Sequence, residues 1–262
     1  CAIFRHFGVG HGAITLEEAL AQSCNVYFFD VAKRLGPDPI VTWARRFGCG
    51  VETGIDVPGD RPGHLPQPGR QADAAERWYP GTTRQLAVGQ ASLTMTPLQV
   101  VRMMAAIAND GWLVTPHVLR DVSSPQFDAA PTSSTGTIQL AGLSLRSAAA
   151  APTPVRISGL TAGTLAHVRR GLVQAVEHPR GTGREAQLKG VRIAGKTGTA
   201  EIGAGQPDHA WFAGYAPADA PRIAFVVVIE QGGSGGRTAA PLAREFVRSW
   251  SENGLQPRPE SR

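Results

Sequence analysis

The chain has 262 residues, of which 42% are hydrophobic and 18% charged, and its formal net charge at pH 7 is +5. This length and composition are typical of a globular protein with its own core and exclude a disordered chain. Only three of the 26 basic residues are lysines, and the arginines are dispersed along the sequence. We therefore predict no nucleic-acid partner. The three cysteines have no metal-binding spacing, so no metal site is predicted.

The sequence shows no membrane span or targeting segment. The longest apolar run, at 223–229, is far too short to cross a bilayer, and there is no signal-peptide pattern. The chain begins with Cys1 instead of methionine. We therefore expect these residues to be a piece of a longer protein.

The first half of the chain is predicted to be mainly helical. Thr15 and Glu18 match a capping box that opens a short helix ending near residue 21. A second helix is predicted at 26–35, with Leu35 among the apolar residues that would face a core. Ser23 and Asn25 therefore lie on the tight connection between these two helices. Further helices are predicted at about 39–46, 96–108 and 161–177.

Three segments are predicted to lie outside regular structure. Residues 57–80 are rich in proline and glycine and are typical of a long surface excursion. Residues 121–160, dominated by alanine, serine, threonine and proline, predict a flexible insertion and not a second domain. Residues 251–262 predict a disordered tail. The sequence thus predicts one domain over 1–250.

The second half is predicted to form a sheet. Strands are predicted at 191–201, 211–215 and 222–230, and their short connections indicate an antiparallel meander. A final amphipathic helix at 240–250 would close over this sheet. Helices followed by an antiparallel sheet and a helix indicate the α+β class, in which an antiparallel β-sheet packs with helices.

The first of these strands contains Lys196, Thr197, Gly198 and Thr199 in succession. Because alternate residues of a strand share a face, Lys196 and Gly198 should face away from the two threonines. Glycine lets a ligand approach the strand closely. Such an edge can offer a cation, a hydroxyl and free N–H groups to an anionic substrate.

Two short motifs carry a family resemblance. Ser23-Cys24-Asn25 followed by Lys196-Thr197-Gly198 gives two of the three motifs of penicillin-binding proteins and related β-lactamases. The flanking sequence at 19–28, 88–111, 196–201 and 209–217 extends the similarity. The chain resembles the transpeptidase domain of class B penicillin-binding proteins, over most of residues 11–250 outside 121–160. The resemblance implies the β-lactamase-like α+β fold, truncated at its N-terminus.

One family motif is missing. The family's nucleophile lies in Ser-x-x-Lys, but the residues three places before the lysines are Asp30, Ala186 and Ile193. Only about ten residues separate Cys1 from the helix pair that carries Ser23 and Asn25, too few for the helix that carries the nucleophile. We therefore expect the chain to start after that helix and to be inactive alone.

For the parent protein, the resemblance implies acyl transfer. A serine would attack the D-Ala-D-Ala amide of a peptidoglycan stem peptide, and a second stem's amine would take the acyl group. Ser23 would relay a proton to the leaving amine, and Asn25 would hold the substrate amide. Lys196 would supply positive charge. Thr197 and Thr199 would bind the substrate carboxylate beside Gly198, and the Thr199 N–H would form half of the oxyanion hole.

The resemblance also implies partners and a location. Stem peptides and β-lactam antibiotics would bind, proteins of a wall-synthesis complex would assemble with the parent, and no cofactor is implied. The domain would lie in the cell envelope, on the extracytoplasmic face of the inner membrane, tethered by an anchor that this chain lacks.

Two other functions stay open. A D,D-carboxypeptidase or β-lactamase would share the motifs, although no deacylating glutamate can be assigned. A β-lactam-sensing or non-catalytic scaffold domain would fold without using the chemistry. Outside this context, Ser23 would be an ordinary helix-cap serine, and Cys24 is best interpreted as a small core residue and not a nucleophile.

Overall fold

The computed structural model describes residues 8–69, 78–118, 137–140, 143–146, 153–203 and 205–254. Helices dominate the first half of these residues, and a three-stranded antiparallel sheet and a last helix form the second half. The predicted α+β class is confirmed. The described helices are α1 (Leu16–Ala21), α2 (Asn25–Leu35), α3 (Pro37–Arg46), α4 (Pro80–Leu86), α5 (Pro97–Ala108), α6 (Ala162–Glu177) and α7 (Ala240–Gly254).

Local capping explains where three of the helices begin. Thr15, Thr96 and Thr161 each accept a hydrogen bond from a backbone N–H in the first turn of α1, α5 and α6. These bonds satisfy donors that a helix leaves unpaired at its start. Gly36 ends α2 and precedes Pro37, the first residue of α3, so α2 and α3 meet at a sharp corner.

The sheet consists of β5 (Ala194–Ala200), β6 (His209–Ala216) and β7 (Ile223–Ile229), in that order. All three strands were predicted, although β5 begins three residues later than expected. Both neighbouring pairs are antiparallel, and β5 pairs with β6 so that Lys196 lies opposite Ala213. β5 is therefore an edge strand of this sheet.

Smaller strands lie between α5 and α6. β1 (Trp112–Leu113) pairs with β4 (Val155–Arg156), and β2 (Thr137–Leu140) pairs with β3 (Leu143–Arg146). β2, β3 and β4 lie within residues 121–160, the stretch predicted as a flexible insertion. Of that stretch, the structure describes residues 137–140, 143–146 and 153–160. Residues 153–160 belong to the fold, because Ile157 is buried and its N–H donates to the carbonyl of Gly111.

The two faces of the sheet are covered by different helices. Phe212 and Phe225 pack on one face with α7 residues such as Val247. Tyr215 packs on the other face with residues of α5 and α6, including Met104 and Leu172. Successive residues of β6 thus face opposite cores, as the two-residue period of a strand requires. The sheet lies between two helical layers, and among the described residues no strand pairs with the outer edge of β5.

Close packing explains two glycines of the sheet. Gly195 and Gly214 lie opposite each other, with the ring of Phe212 against Gly195 and the carbonyl of Ala194 against Gly214. A Cβ added to Gly195 would lie 2.4 Å from that ring. A side chain at Gly195 would have to displace this buried ring, so glycine is required for the residue next to Lys196.

The C-terminal helix is longer than predicted. α7 runs through Gly254, four residues into the predicted disordered tail, and residues 255–262 lie outside the described ones. The part of the chain that the structure describes contains no helix long and apolar enough to cross a membrane.

Candidate active site

Ser23 occupies a strained turn between α1 and α2. Its φ angle is 53°, in the left-handed region that residues other than glycine seldom adopt. Two backbone hydrogen bonds hold the turn, from Ser23 N–H to the carbonyl of Leu20 (3.3 Å) and from Cys24 N–H to that of Ala19 (2.9 Å). Left-handed backbone at a non-glycine residue costs about 1–2 kcal/mol and is frequent at functional sites.

Lys196 on β5 reaches across to this turn. Its Nζ donates to Ser23 Oγ at 2.8 Å and to the carbonyl of Thr197 at 3.0 Å. The structure thus brings together two residues that are 173 positions apart in the sequence. Burial lowers the pKa of Lys196 to about 8, because the charged ammonium loses hydration. The group is therefore mainly protonated at pH 7.

Thr197 points to the opposite face of β5, in agreement with the predicted alternation. Its hydroxyl lies 2.7 Å from the hydroxyl of Thr182. Thr182 is held by its own N–H, which donates to the carbonyl of Ala21 at 3.0 Å. The loop at Thr182 therefore joins β5 to the end of α1, close to Ser23. The motifs did not identify Thr182, since a single threonine in a Gly-Thr-Gly loop has no periodic pattern.

Gly198 and Thr199 continue the open edge of β5. A Cβ on Gly198 would lie 3.1 Å from the Cβ of Trp211 on β6, so close cross-strand packing also favours glycine here. Thr199 is exposed, and its carbonyl accepts a hydrogen bond from Gln90 Nε2 at 3.1 Å. Gln90 lies in the 88–111 stretch of family similarity but was not identified as a site residue.

Asn25 and Cys24 lie beside Ser23 but differ in their contacts. Asn25 is the first residue of α2, and within the described part of the chain its side-chain amide has no hydrogen bond to Ser23 or Lys196. Cys24 is buried, with its Sγ 3.1 Å from Nδ1 of His11. This burial agrees with the interpretation of Cys24 as a core residue.

The arrangement forms a cleft whose groups can transfer protons and bind an anion. One wall is the Ser23 turn of the helical layer, and the other is the edge of β5 with its ammonium, hydroxyls and backbone N–H groups. A desolvated ammonium hydrogen-bonded to a serine hydroxyl can pass protons and attract a carboxylate.

Comparison with known proteins gives the family. Residues 4–248 match the family model for the penicillin binding protein transpeptidase domain. The peptidoglycan D,D-transpeptidase MrdA of Acinetobacter baumannii is 32% identical over 256 residues, which cover 92% of this chain and 35% of that protein. The chain therefore spans about a third of the length of this relative.

Solved structures agree in fold. Pseudomonas aeruginosa PBP2 in complex with WCK 5153 superposes with a TM-score of 0.73 at 31% identity, covering 92% of this chain and 48% of that one. Helicobacter pylori PBP2 in complex with MreC gives a TM-score of 0.74 at 25% identity, covering 94% of this chain and 42% of that one. This chain belongs to the penicillin-binding protein transpeptidase family.

Proposed function

We propose that this chain forms the proton-relay wall and the substrate-binding edge of a serine-type peptidoglycan D,D-transpeptidase. The observation that carries the proposal is the 2.8 Å hydrogen bond from Lys196 Nζ to Ser23 Oγ. Family membership supports the reaction class, since relatives such as MrdA are D,D-transpeptidases. The substrate would be the D-Ala-D-Ala end of a stem peptide.

The direction of the Lys196–Ser23 bond suggests how the relay works. A protonated lysine only donates, so Ser23 Oγ is the acceptor and its own hydrogen is free to point into the cleft. When a serine hydroxyl attacks the substrate amide, its proton must leave as the C–N bond breaks. Ser23 would accept that proton and deliver its own to the departing amine, while Lys196 stabilises the oxygen between transfers.

The edge of β5 would hold the substrate. Lys196 attracts the terminal carboxylate, and Thr197 and Thr199 donate hydroxyl hydrogen bonds to it. Gly198 leaves room for the peptide to approach. The Thr199 N–H would stabilise the oxyanion of the tetrahedral intermediate, a kind of donor whose removal costs about 3 kcal/mol in other enzymes. Asn25, whose amide is free of Ser23 and Lys196, would bind the substrate's own amide.

The attacking serine is not among these 262 residues, because no Ser-x-x-Lys occurs in them. We propose that it precedes Cys1 in the parent protein, and that the chain alone forms no acyl-enzyme. The parent would act at the extracytoplasmic face of the inner membrane and bind β-lactams through the same edge. The complex of Helicobacter pylori PBP2 with MreC supports the proposal of a wall-synthesis partner.

The first test is the sequence upstream of Cys1 in the parent, where a Ser-x-x-Lys within a few dozen residues is expected. Its absence would leave no nucleophile and would end the enzymatic proposal.

The second test is labelling of the whole parent protein with a fluorescent penicillin. A transpeptidase keeps the label, whereas a β-lactamase sheds it quickly and a scaffold domain never takes it. The 262-residue chain should stay unlabelled in mass spectrometry. A covalent adduct on it would contradict the proposal and would be mapped first to Ser23 and Cys24.

A further inference from the structure

Gln90 is a polar residue that the proposed mechanism does not use, although it contacts β5 at the edge proposed to bind substrate. Its Nε2 donates to the carbonyl oxygen of Thr199 at 3.1 Å, across 109 positions of sequence. Because the partner is a carbonyl, the side-chain amide must present its NH2 group there. A long-range contact of this kind fixes the loop that carries Gln90 relative to β5.

The loop of Gln90 is itself firmly held. The N–H of Gln90 donates to the carbonyl of Gln85 at 2.9 Å, and that of Gly89 donates to Leu86 at 3.0 Å, so the loop is tied to the end of α4. Gly89 and Ala91, on either side, have φ angles of 77° and 66°. A left-handed alanine costs about 1–2 kcal/mol and persists only where the surroundings fix it. Gln90 is thus held on a rigid turn.

The contact also shows which backbone groups face the cleft. β6 pairs with β5 along one side, whereas Lys196 Nζ and Gln90 Nε2 reach the carbonyls of Thr197 and Thr199. In an antiparallel strand, the N–H and C=O of one residue point the same way. The N–H groups of Thr197 and Thr199 therefore point to the open edge, next to these carbonyls.

A free carbonyl at this edge would repel an anion. Both outward carbonyls instead accept hydrogen bonds, one from an ammonium and one from the Gln90 amide. These bonds offset the negative ends of the peptide dipoles and leave N–H groups to face a developing oxyanion.

We propose that Gln90 is a positioning residue that fixes the backbone at Thr199, so that the Thr199 N–H is aimed at the oxyanion. The inference rests on the proposed acyl transfer. Gln90 does not touch the reacting atoms and acts through Thr199. The signature of this role is a slower acylation step with little change in the affinity of the first, non-covalent complex.

The test uses the whole parent protein and a fluorescent penicillin. Gln90→Met keeps the size and removes the donor, and Gln90→Glu also sets a negative charge beside the Thr199 carbonyl. We expect the acylation rate at saturating penicillin to fall about tenfold for Met and further for Glu, since full loss of an oxyanion donor costs about 10²–10³. The dissociation constant of the non-covalent complex should change less than about threefold.

Gln85 offers a matched control. It is exposed on α4, and only its backbone carbonyl holds the loop, so Gln85→Met and Gln85→Glu make the same chemical changes without removing the contact. Both should acylate at the unmodified rate. A purely structural role of Gln90 would instead lower the melting temperature and the fraction labelled, and would leave the rate of the folded protein unchanged.

Unchanged acylation in both Gln90 variants would overturn the inference. Faster acylation would also overturn it, because Gln90 would then compete with substrate for the Thr199 carbonyl. If the unmodified protein takes no label, the proposed function fails and a crystal structure of the Gln90→Met parent decides about Gln90. A rotated backbone at Thr199 would support the positioning role, and an unchanged one would contradict it.

Discussion

The two faces of β5 differ in chemistry although their side chains are neighbours in sequence. On one face, Lys196 brings a desolvated ammonium to Ser23 in the helical layer. On the other, Thr197 shares a neutral hydrogen bond with Thr182. Within the motif, the charged side chain lies on one face of β5 and the neutral hydroxyl of Thr197 on the other. Proton transfer through Lys196 and substrate binding through the Thr197 hydroxyl should therefore respond separately to mutation.

Removing the charge of Lys196 should have the largest effect on the acylation rate. Lys196→Met keeps most of the side-chain volume but ends the hydrogen bond to Ser23. We expect the rate of penicillin acylation in the parent protein to fall by about 10²–10⁴, the usual contribution of a positioned proton-transfer group. Stopped-flow labelling measures this rate.

Lys189→Met is the control, since Lys189 is exposed, and it should acylate normally.

The Lys196→Met variant should remain folded. Burial lowers the pKa of Lys196 from 10.5 to about 8, so below pH 8 the charge costs the folded state stability, and this cost fades as pH rises toward 10.5. A melting temperature far below that of the unmodified protein at pH 7 would contradict this account.

Lys196 should also make the binding of a carboxylate depend on pH. With a pKa of about 8, Lys196 loses its proton as pH rises through that value, and the attraction for a carboxylate is lost with it. The affinity of the non-covalent penicillin complex should therefore fall about tenfold per pH unit above 8. A penicillin ester, which lacks the carboxylate, should show no such fall. Equal pH profiles for acid and ester would exclude Lys196 as the carboxylate's partner.

At Ser23, the cost of the left-handed backbone can be measured separately from the role of the hydroxyl. Glycine adopts the left-handed conformation of Ser23 without a steric penalty, whereas alanine does not. Ser23→Gly should therefore be about 1 kcal/mol more stable than Ser23→Ala in denaturant unfolding, the sign expected at a left-handed position. Both variants lack the hydroxyl, so both should acylate slowly. If alanine were the more stable variant, the turn would not be strained.

The neutral face should give the smallest effect. Thr182→Val removes the hydroxyl partner of Thr197, and a neutral hydrogen bond contributes about 0.5–1.5 kcal/mol. We expect penicillin affinity to weaken a few-fold with little change in the acylation rate at saturation, and Thr182→Ser to restore it. In a double-mutant cycle with Thr197→Val, the two changes should be strongly non-additive. Additive losses would show that the hydroxyls act separately.

Sequence reasoning identified the elements whose signals are local. The capping residues Thr15 and Thr96 marked the starts of α1 and α5, and the helical spacing of apolar residues marked α6. The short segments at 211–215 and 222–230 marked β6 and β7. The motif positions led to Ser23 and Lys196, which the fold brings within hydrogen-bonding distance. Local pattern and tertiary structure agree in these places because the same residues determine both.

The features that the sequence did not predict have a common physical cause: each depends on contacts with residues distant in the sequence. Helix α4 was missed because its proline, glycine and threonines have low helix propensity, and it is held by packing of Leu86 against Leu65 and Val41. Leu35 was predicted to face a core but is exposed at the corner before α3. Thr182 and Gln90 act through single contacts with β5, which no sequence period reveals.

The glycines that surround β5 limit how this site can evolve. Gly195 lies under the ring of Phe212, Gly214 lies against the carbonyl of Ala194, and an added Cβ on Gly235 would lie 2.3 Å from the carbonyl of Gly198. These positions cannot be enlarged without displacing the atoms that pack around the strand that holds Lys196. Under the proposed function, substitutions that alter ligand recognition and preserve the fold should accumulate at outward positions, of which Thr199 is the most accessible on the motif.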